Sequence, residues 1–209
     1  MNKKFVIFDM DGTIVDSMDY WKDLSIEFLN SKGIYDIPEY IIEKIKSMTI
    51  SESAKLFASE FSLEGSPSNI SEEINELMDR HYYKDIPLKK GVYEYIENLN
   101  KKGVTMCVAS ATDKTLMNAC LSRLGIIKYF KFLISCETVG VGKNQPDVYF
   151  EAERLLGCSH SEVVVYEDAL YAIETAKKAG FYVVGVYDES SDEHWDEIKE
   201  ISDETIYSF

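Results

Sequence analysis

The stretch that decides the fold is "FVIFDMDGTIVDS", residues 5–17. Four apolar residues run into Asp9. Asp11 follows two residues later, then Gly12 and Thr13. A short aromatic and β-branched run of this kind reads as a strand buried on both faces, as in a parallel sheet. Two carboxylates at the end of a buried strand call for a reason, because an ionised carboxylate tolerates burial only when paired or bound to a cation.

Further along the chain, four more segments have the same character: "VTMCVAS" (104–110), "FLISC" (132–136), "VVVYED" (163–168) and "YVVGV" (182–186). Helical patterns separate them. "GVYEYIENLNKKG" (91–103) stops at Gly103, and "DKTLMNACLSRLG" (113–125) runs from an Asp to a Gly. "PDVYFEAERLLG" (146–157) starts with Pro and ends with Gly, and "ALYAIETAKKAG" (169–180) also ends in Gly. These are the expected start and stop signals of helices. Strand, helix, strand with short connections predicts an α/β fold with a doubly wound parallel, Rossmann-like sheet. The tail "ISDETIYSF" (201–209) is read as adding a terminal strand.

Between the first two strands lies a stretch with no strand signal. "YWKDLSIEFLNSKG" (20–33), "PEYIIEKIKSM" (38–48), "SESAKLFASEF" (51–61) and "SEEINELMDRHYY" (71–83) place apolar residues at helical spacing, with breaks such as "EGSPSN" (64–69). Residues 16–84 are expected to form an all-helical cap domain over the sheet's C-terminal edge. Residues 1–15 and 85–209 would form the α/β core domain.

The chain has 209 residues and a net charge of −15. Such a surface repels phosphodiester backbones and anionic membranes, which argues against nucleic-acid or membrane partners. The four cysteines form no Cys-x-x-Cys pair and read as reduced, buried thiols. The apolar run before Asp9 is too short for a signal-peptide core, so a cytoplasmic protein is expected.

In a parallel sheet every strand ends at the same edge, and ligands bind there. Asp9 and Asp11 follow the first strand. Ser110 and Thr112 follow the second, Lys143 lies in the loop after the third, and Glu167 and Asp168 close the fourth. Taken singly, each has a plainer reading: a turn, a helix cap, a surface lysine, an acidic helix start favoured by the dipole. Taken together they form an acidic crevice that needs a cation, and oxygen donors suit Mg²⁺. A carboxylate can attack phosphorus, and a second can move the proton of the leaving alcohol and of the attacking water. Lysine and a hydroxyl can hold phosphoryl oxygens. Asp9 would attack, Asp11 would shuttle the proton, and Gly12 would allow the turn between them and the insert.

These residues resemble the motifs of the haloacid dehalogenase-like superfamily, in its phosphatase and β-phosphoglucomutase-like branch with a helical cap. "DMDGT" resembles the first motif, the serine of "VASAT" the second, Lys143 followed by "PDVYF" the third, and "VVYEDALYAIETAKKAGF" the fourth. The resemblance implies Asp9 as nucleophile and Asp11 as general acid and base. It implies Ser110 and Lys143 on the substrate phosphate. It implies Mg²⁺ on the Asp9 side chain, the Asp11 carbonyl and Asp168, with Glu167 direct or through water. Ala169 and Ala172 stand where the fourth motif often has Ser and Gly, and Asn144 follows the lysine where Pro is common.

The expected activity is hydrolysis of a small phosphate ester, such as a sugar phosphate or phosphoglycolate, by a monomer or weak homodimer. A β-phosphoglucomutase-type phosphomutase is the alternative. It needs a second phosphate grip in the cap, yet Ile50 stands where its arginine would, and Trp21 where its histidine would. Lys46 and Lys84 are other cations that could reach the site. Trp21, Tyr82 and Tyr83 either line the substrate pocket or form cap core. His81 reads as a helix-surface residue. A receiver-like signalling domain would place its acidic pair and phospho-acceptor on different strands, which the Asp-x-Asp spacing opposes. A catalytically silent relative would have lost Asp9 or Lys143.

Overall fold

The apolar runs become strands because each is short, β-branched or aromatic, and covered on both faces. The computed structural model describes residues 4–45, 48 and 50–209. Its strands are β1 (Phe5–Phe8), β2 (Thr105–Ser110), β3 (Phe130–Ser135), β4 (Val163–Glu167), β5 (Tyr182–Val186) and β6 (Glu204–Ile206). They form one sheet in the order β3-β2-β1-β4-β5-β6, with every neighbouring pair parallel. The helices are α1 (Met18–Ser31), α2 (Glu39–Ile45), α3 (Ile50–Glu60), α4 (Pro67–Lys84), α5 (Val92–Lys101) and α6 (Lys114–Arg123). They continue with α7 (Cys136–Val139), α8 (Asp147–Leu156), α9 (Leu170–Lys178) and α10 (Trp195–Ile201). The doubly wound parallel α/β fold is therefore present.

One face of the sheet buries Ile7, Cys107, Ala109, Ile134, Val163, Val165 and Val183. Against it pack Val148, Tyr149, Ala152 and Leu156 of α8, Ile173 and Ala176 of α9, and Ile198 of α10. The other face carries Phe8 and Tyr166, whose ring centroids lie 4.8 Å apart, with Tyr95 and Phe209 beside them. The alternation of strand side chains divides each apolar run between the two faces.

β1 lies between β2 and β4, with Ile7 level with Cys107 on one side and Val165 on the other. From β1 the chain steps outward to β2 and β3, then returns to β4 on β1's other flank. The chain order thus reverses between β1 and β4, and that reversal opens the ligand crevice of a doubly wound sheet.

The described chain divides into two compact units, Met1–Ser17 with Ile86–Phe209, and Met18–Asp85. The second unit is helical. Its core includes Leu24, Phe28 and Leu29 of α1, Ala54 and Phe57 of α3, and Ile70, Ile74, Leu77, Met78 and Tyr82 of α4. Of the stretch expected to be a break, 64–69, residues 64–66 lie outside any helix, but its last three residues are the first turn of α4. Ser66 caps the helix by accepting from the Asn69 N–H, the Asn69 side chain bonds back, and Pro67 occupies the first turn, where its missing N–H costs nothing. Tyr82 is core, Trp21 is partly buried and donates its indole N–H to the Tyr82 hydroxyl at 3.2 Å, and Tyr83 is half exposed. His81 corrects the surface reading. Its ring bonds Asp85 at 2.9 Å and Glu27 at 2.8 Å, and only 12% of its side chain is exposed. Lys46 lies outside the described residues.

All four cysteines are free, three of them buried. Among the described residues no helix is long and apolar enough to cross a membrane.

Candidate active site

The site is built where β1, β2 and β4 end. Asp9 follows β1 and extends the ladder by one bond, its N–H donating to the Tyr166 carbonyl at 2.9 Å. That pins the Asp9 backbone between its neighbours and leaves its side chain at the crevice. Glu167 is the last residue of β4 and Asp168 the next, so both lie beside Asp9 across one strand spacing. Lys143 comes from the connection between α7 and α8. Asp9, Lys143, Glu167 and Asp168 are all buried, none more than 6% exposed.

Asp9, Glu167 and Asp168 offer carboxylate oxygens that lie within 4.8 Å of one another. The Lys143 ammonium bridges two of them, bonding Asp9 Oδ1 and Glu167 Oε2, the latter at 2.7 Å. Tyr149 of α8, fully buried, donates its hydroxyl to the same Glu167 oxygen at 3.1 Å. The Thr13 hydroxyl donates to Asp168 Oδ1 at 2.9 Å.

One lysine cannot neutralise three carboxylates. Burial, and then the Glu167 charge, push Asp9 up to about 7 despite the opposing Lys143. Burial, then the charges of Asp9 and Glu167, raise Asp168 well above the carboxylate range. The charges of Asp9 and Glu167 hold Lys143 firmly protonated against the desolvation of its own burial. The surplus negative charge and all-oxygen donors fit a hard divalent cation such as Mg²⁺.

Asp11 belongs to a second, neighbouring group. Its Oδ1 accepts from Ser17 at 2.7 Å, and its Oδ2 from Thr112 at 2.5 Å and Ser110 at 3.5 Å. The Ser110 hydroxyl in turn accepts from the Thr112 N–H at 3.1 Å. Three hydroxyls thus aim the Asp11 carboxyl. Gly12 makes the turn, at φ +76°, with its N–H bonded to the Val15 carbonyl at 3.0 Å.

All the residues singled out in the α/β unit therefore meet at one sheet edge: Asp9, Asp11, Ser110, Thr112, Lys143, Glu167 and Asp168. Reading the sequence alone left Thr13, Ser17 and Tyr149 without roles. Thr13 could have been found, since it directly follows Gly12. Tyr149 sits at an ordinary core spacing, and nothing in its neighbours announces a buried hydroxyl.

A family model described as "Haloacid dehalogenase-like hydrolase" matches residues 6–186. The chain belongs to the haloacid dehalogenase-like hydrolase family. A phosphorylated carbohydrates phosphatase of Thermotoga maritima is 26% identical over 175 residues, 84% of this chain and 81% of that protein. The beta-phosphoglucomutase of Bacillus subtilis is 28% identical over 196 residues, 88% of this chain and 83% of its own. The fructose-1-phosphate phosphatase of Escherichia coli is 27% identical over 198 residues, covering 87% and 95%. Among solved structures, a Thermotoga maritima protein provisionally named a beta-phosphoglucomutase superposes with a TM-score of 0.84 at 24% identity, covering 97% of this chain and 94% of that one. At that identity the likeness speaks for the fold alone. The chain is a haloacid dehalogenase-like enzyme of the phosphatase kind.

Proposed function

We propose that this phosphatase is Mg²⁺-dependent and hydrolyses a small phosphorylated metabolite, a sugar phosphate or a phosphoglycolate-like ester, through an aspartyl-phosphate on Asp9. The observation that carries the reading is the convergence of a buried, over-acidic cluster with a second carboxyl held by three hydroxyls. Asp9, Asp168 and the Asp11 carbonyl would hold the cation, with Glu167 beside them. The bound cation would neutralise charge on the phosphoryl oxygens. On this reading residues 16–84 are the cap that selects the substrate, and 1–15 with 85–209 are the catalytic core.

The carboxylate of Asp9 attacks phosphorus, and the bond from phosphorus to the ester oxygen breaks. Asp11 gives that oxygen its proton, so the product leaves as a neutral alcohol. Water then attacks the same phosphorus and passes a proton to Asp11. The bond to Asp9 breaks, inorganic phosphate departs, and both carboxyls return to their starting states. Ser17 and Thr112 keep the Asp11 carboxyl aimed through both transfers, which is what general acid–base catalysis requires, and leave the Ser110 hydroxyl able to turn to the substrate. Lys143 and Ser110 provide donors for the phosphoryl oxygens.

A β-phosphoglucomutase-type phosphomutase is the second reading, favoured by the Bacillus subtilis relative. Against it, Trp21 has an indole N–H already bonded to the Tyr82 hydroxyl. Ile50 at the start of α3 has no polar atom in its side chain with which to bind a second phosphate.

The test is phosphate release from a panel of small phosphate esters with Mg²⁺. The panel includes β-glucose 1-phosphate with coupled detection of glucose 6-phosphate. Phosphate release that stops in excess chelator and in Asp9→Asn is the expected result. Glucose 6-phosphate with little free phosphate would establish the mutase. Full activity in chelator would overturn the cation's role.

A further inference from the structure

Lys89 belongs to "LKKG", residues 88–91, and no motif includes it. The structure nevertheless places its ammonium at the back of the Asp-x-Asp turn. Its Nζ donates to the Gly12 carbonyl at 2.6 Å, to the Tyr187 carbonyl at 2.7 Å and to Asp188 Oδ2 at 2.7 Å. An ammonium has three N–H donors, and all three are spent. Its side chain is 16% exposed. Lys89 thus has no donor left for a substrate, and its chemistry is that of a clamp.

The clamp has two jaws. One is the end of β5. There Asp188 accepts from the Ser190 N–H at 3.0 Å and hydroxyl at 2.6 Å, and burial is outweighed by the bonds from Lys89 and Ser190, so its carboxyl titrates below the usual range. The other jaw is Gly12, a turn residue between Asp11 and Thr13. Gly12 and Thr13 both touch Asp168. A Cβ on Gly12 would come within 2.3 Å of Asp168 Oδ2, and the Thr13 hydroxyl holds Oδ1 at 2.9 Å. Gly12 and Thr13 thus pack against the two oxygens of the Asp168 carboxylate.

We infer that Lys89 is a positioning residue of the cation site: by tying the Gly12 carbonyl to the end of β5, it fixes the turn against which Asp168 is packed. The inference rests on the cation reading given under Proposed function. Partners that orient a metal ligand are typically worth 10–100-fold in affinity.

Charge alone predicts the opposite sign. Removing a nearby cation would make the crevice more negative and tighten its hold on a divalent ion. Lost positioning loosens it.

The experiment is Mn²⁺ binding to the substrate-free protein, followed by electron paramagnetic resonance, for wild type, Lys89→Met, Lys89→Gln and Lys90→Met. Lys90 is exposed and serves as the charge control. Near-UV circular dichroism reports the fold of each variant. Lys89→Met is expected to weaken Mn²⁺ binding 10–100-fold, with Lys90→Met within two-fold of wild type. If Lys89→Met does not fold, Lys89→Gln, which keeps an amide donor, carries the test and is expected to weaken binding by a smaller factor. Binding by a folded Lys89 variant as tight as wild type, or tighter, overturns the inference and leaves the cation site standing. Failure of the wild type to bind Mn²⁺ overturns both.

Discussion

Gly12 carries more of the site than its size implies. It sits at φ +76°, which disfavours any side chain, and its α-carbon faces Asp168 with no room for a methyl group. Gly12→Ala is therefore expected to push Asp168 out of place. The expected outcome is a loss of turnover of tenfold or more (about 1.4 kcal/mol in the barrier) and a higher Mg²⁺ requirement, both read from initial rates at varied Mg²⁺. Asp9→Asn is expected to remove turnover while the protein still folds, as judged by circular dichroism; near-normal activity would overturn the nucleophile assignment. Lys143→Met leaves three buried carboxylates without their cation, and breaking such a pair costs about 3–5 kcal/mol. Urea unfolding in chelator measures that loss, and Mg²⁺ is expected to restore part of it. The residues legible in the sequence were those whose type and strand position together imply chemistry, Asp9, Lys143 and Glu167 among them. Lys89 was not legible, because its partners are two carbonyls and a distant carboxylate that only the folded chain brings together.

Elements were legible to the degree that they bury a run of residues. β4 reads at once, since Val163, Val164 and Val165 are all fully buried. α10 was missed because it spans seven residues and buries only Ile198, too little to make a period. α7 was missed for its length, four residues. The start of α4 was misplaced because Ser66, Pro67 and Asn69 belong both to loops and to helix caps, and the capping box decides between them only once formed. Ser66→Ala is expected to cost about 1 kcal/mol of stability, the usual worth of a lost cap, measured by chemical denaturation.

For the whole molecule, the dominant electrostatic fact is a net charge of −15 together with a buried acidic cluster. Without a cation, the raised Asp9 and Asp168 hold protons in the folded state that the unfolded chain gives up at lower pH. The sign follows: stability of the cation-free protein falls as pH rises from the unfolded carboxylate range toward about 7. On the proposed reading, Mg²⁺ would take the place of those protons. Its stabilisation, about 2.7 kcal/mol at a hundredfold excess over its dissociation constant, is expected to be larger at pH 8 than at pH 5.5 in thermal unfolding scans. The engagement of Lys143 with Asp9 and Glu167 also has a kinetic corollary. On the proposed reading Asp9, the nucleophile, is masked by its own lysine, and the crevice would repel a phosphate dianion until a cation enters. Addition would then be compulsory in order, cation before ester. Raising the Mg²⁺ concentration would lower the apparent KM for the ester and leave the maximal rate where it was, and a maximal rate that climbs with Mg²⁺ would show random entry instead.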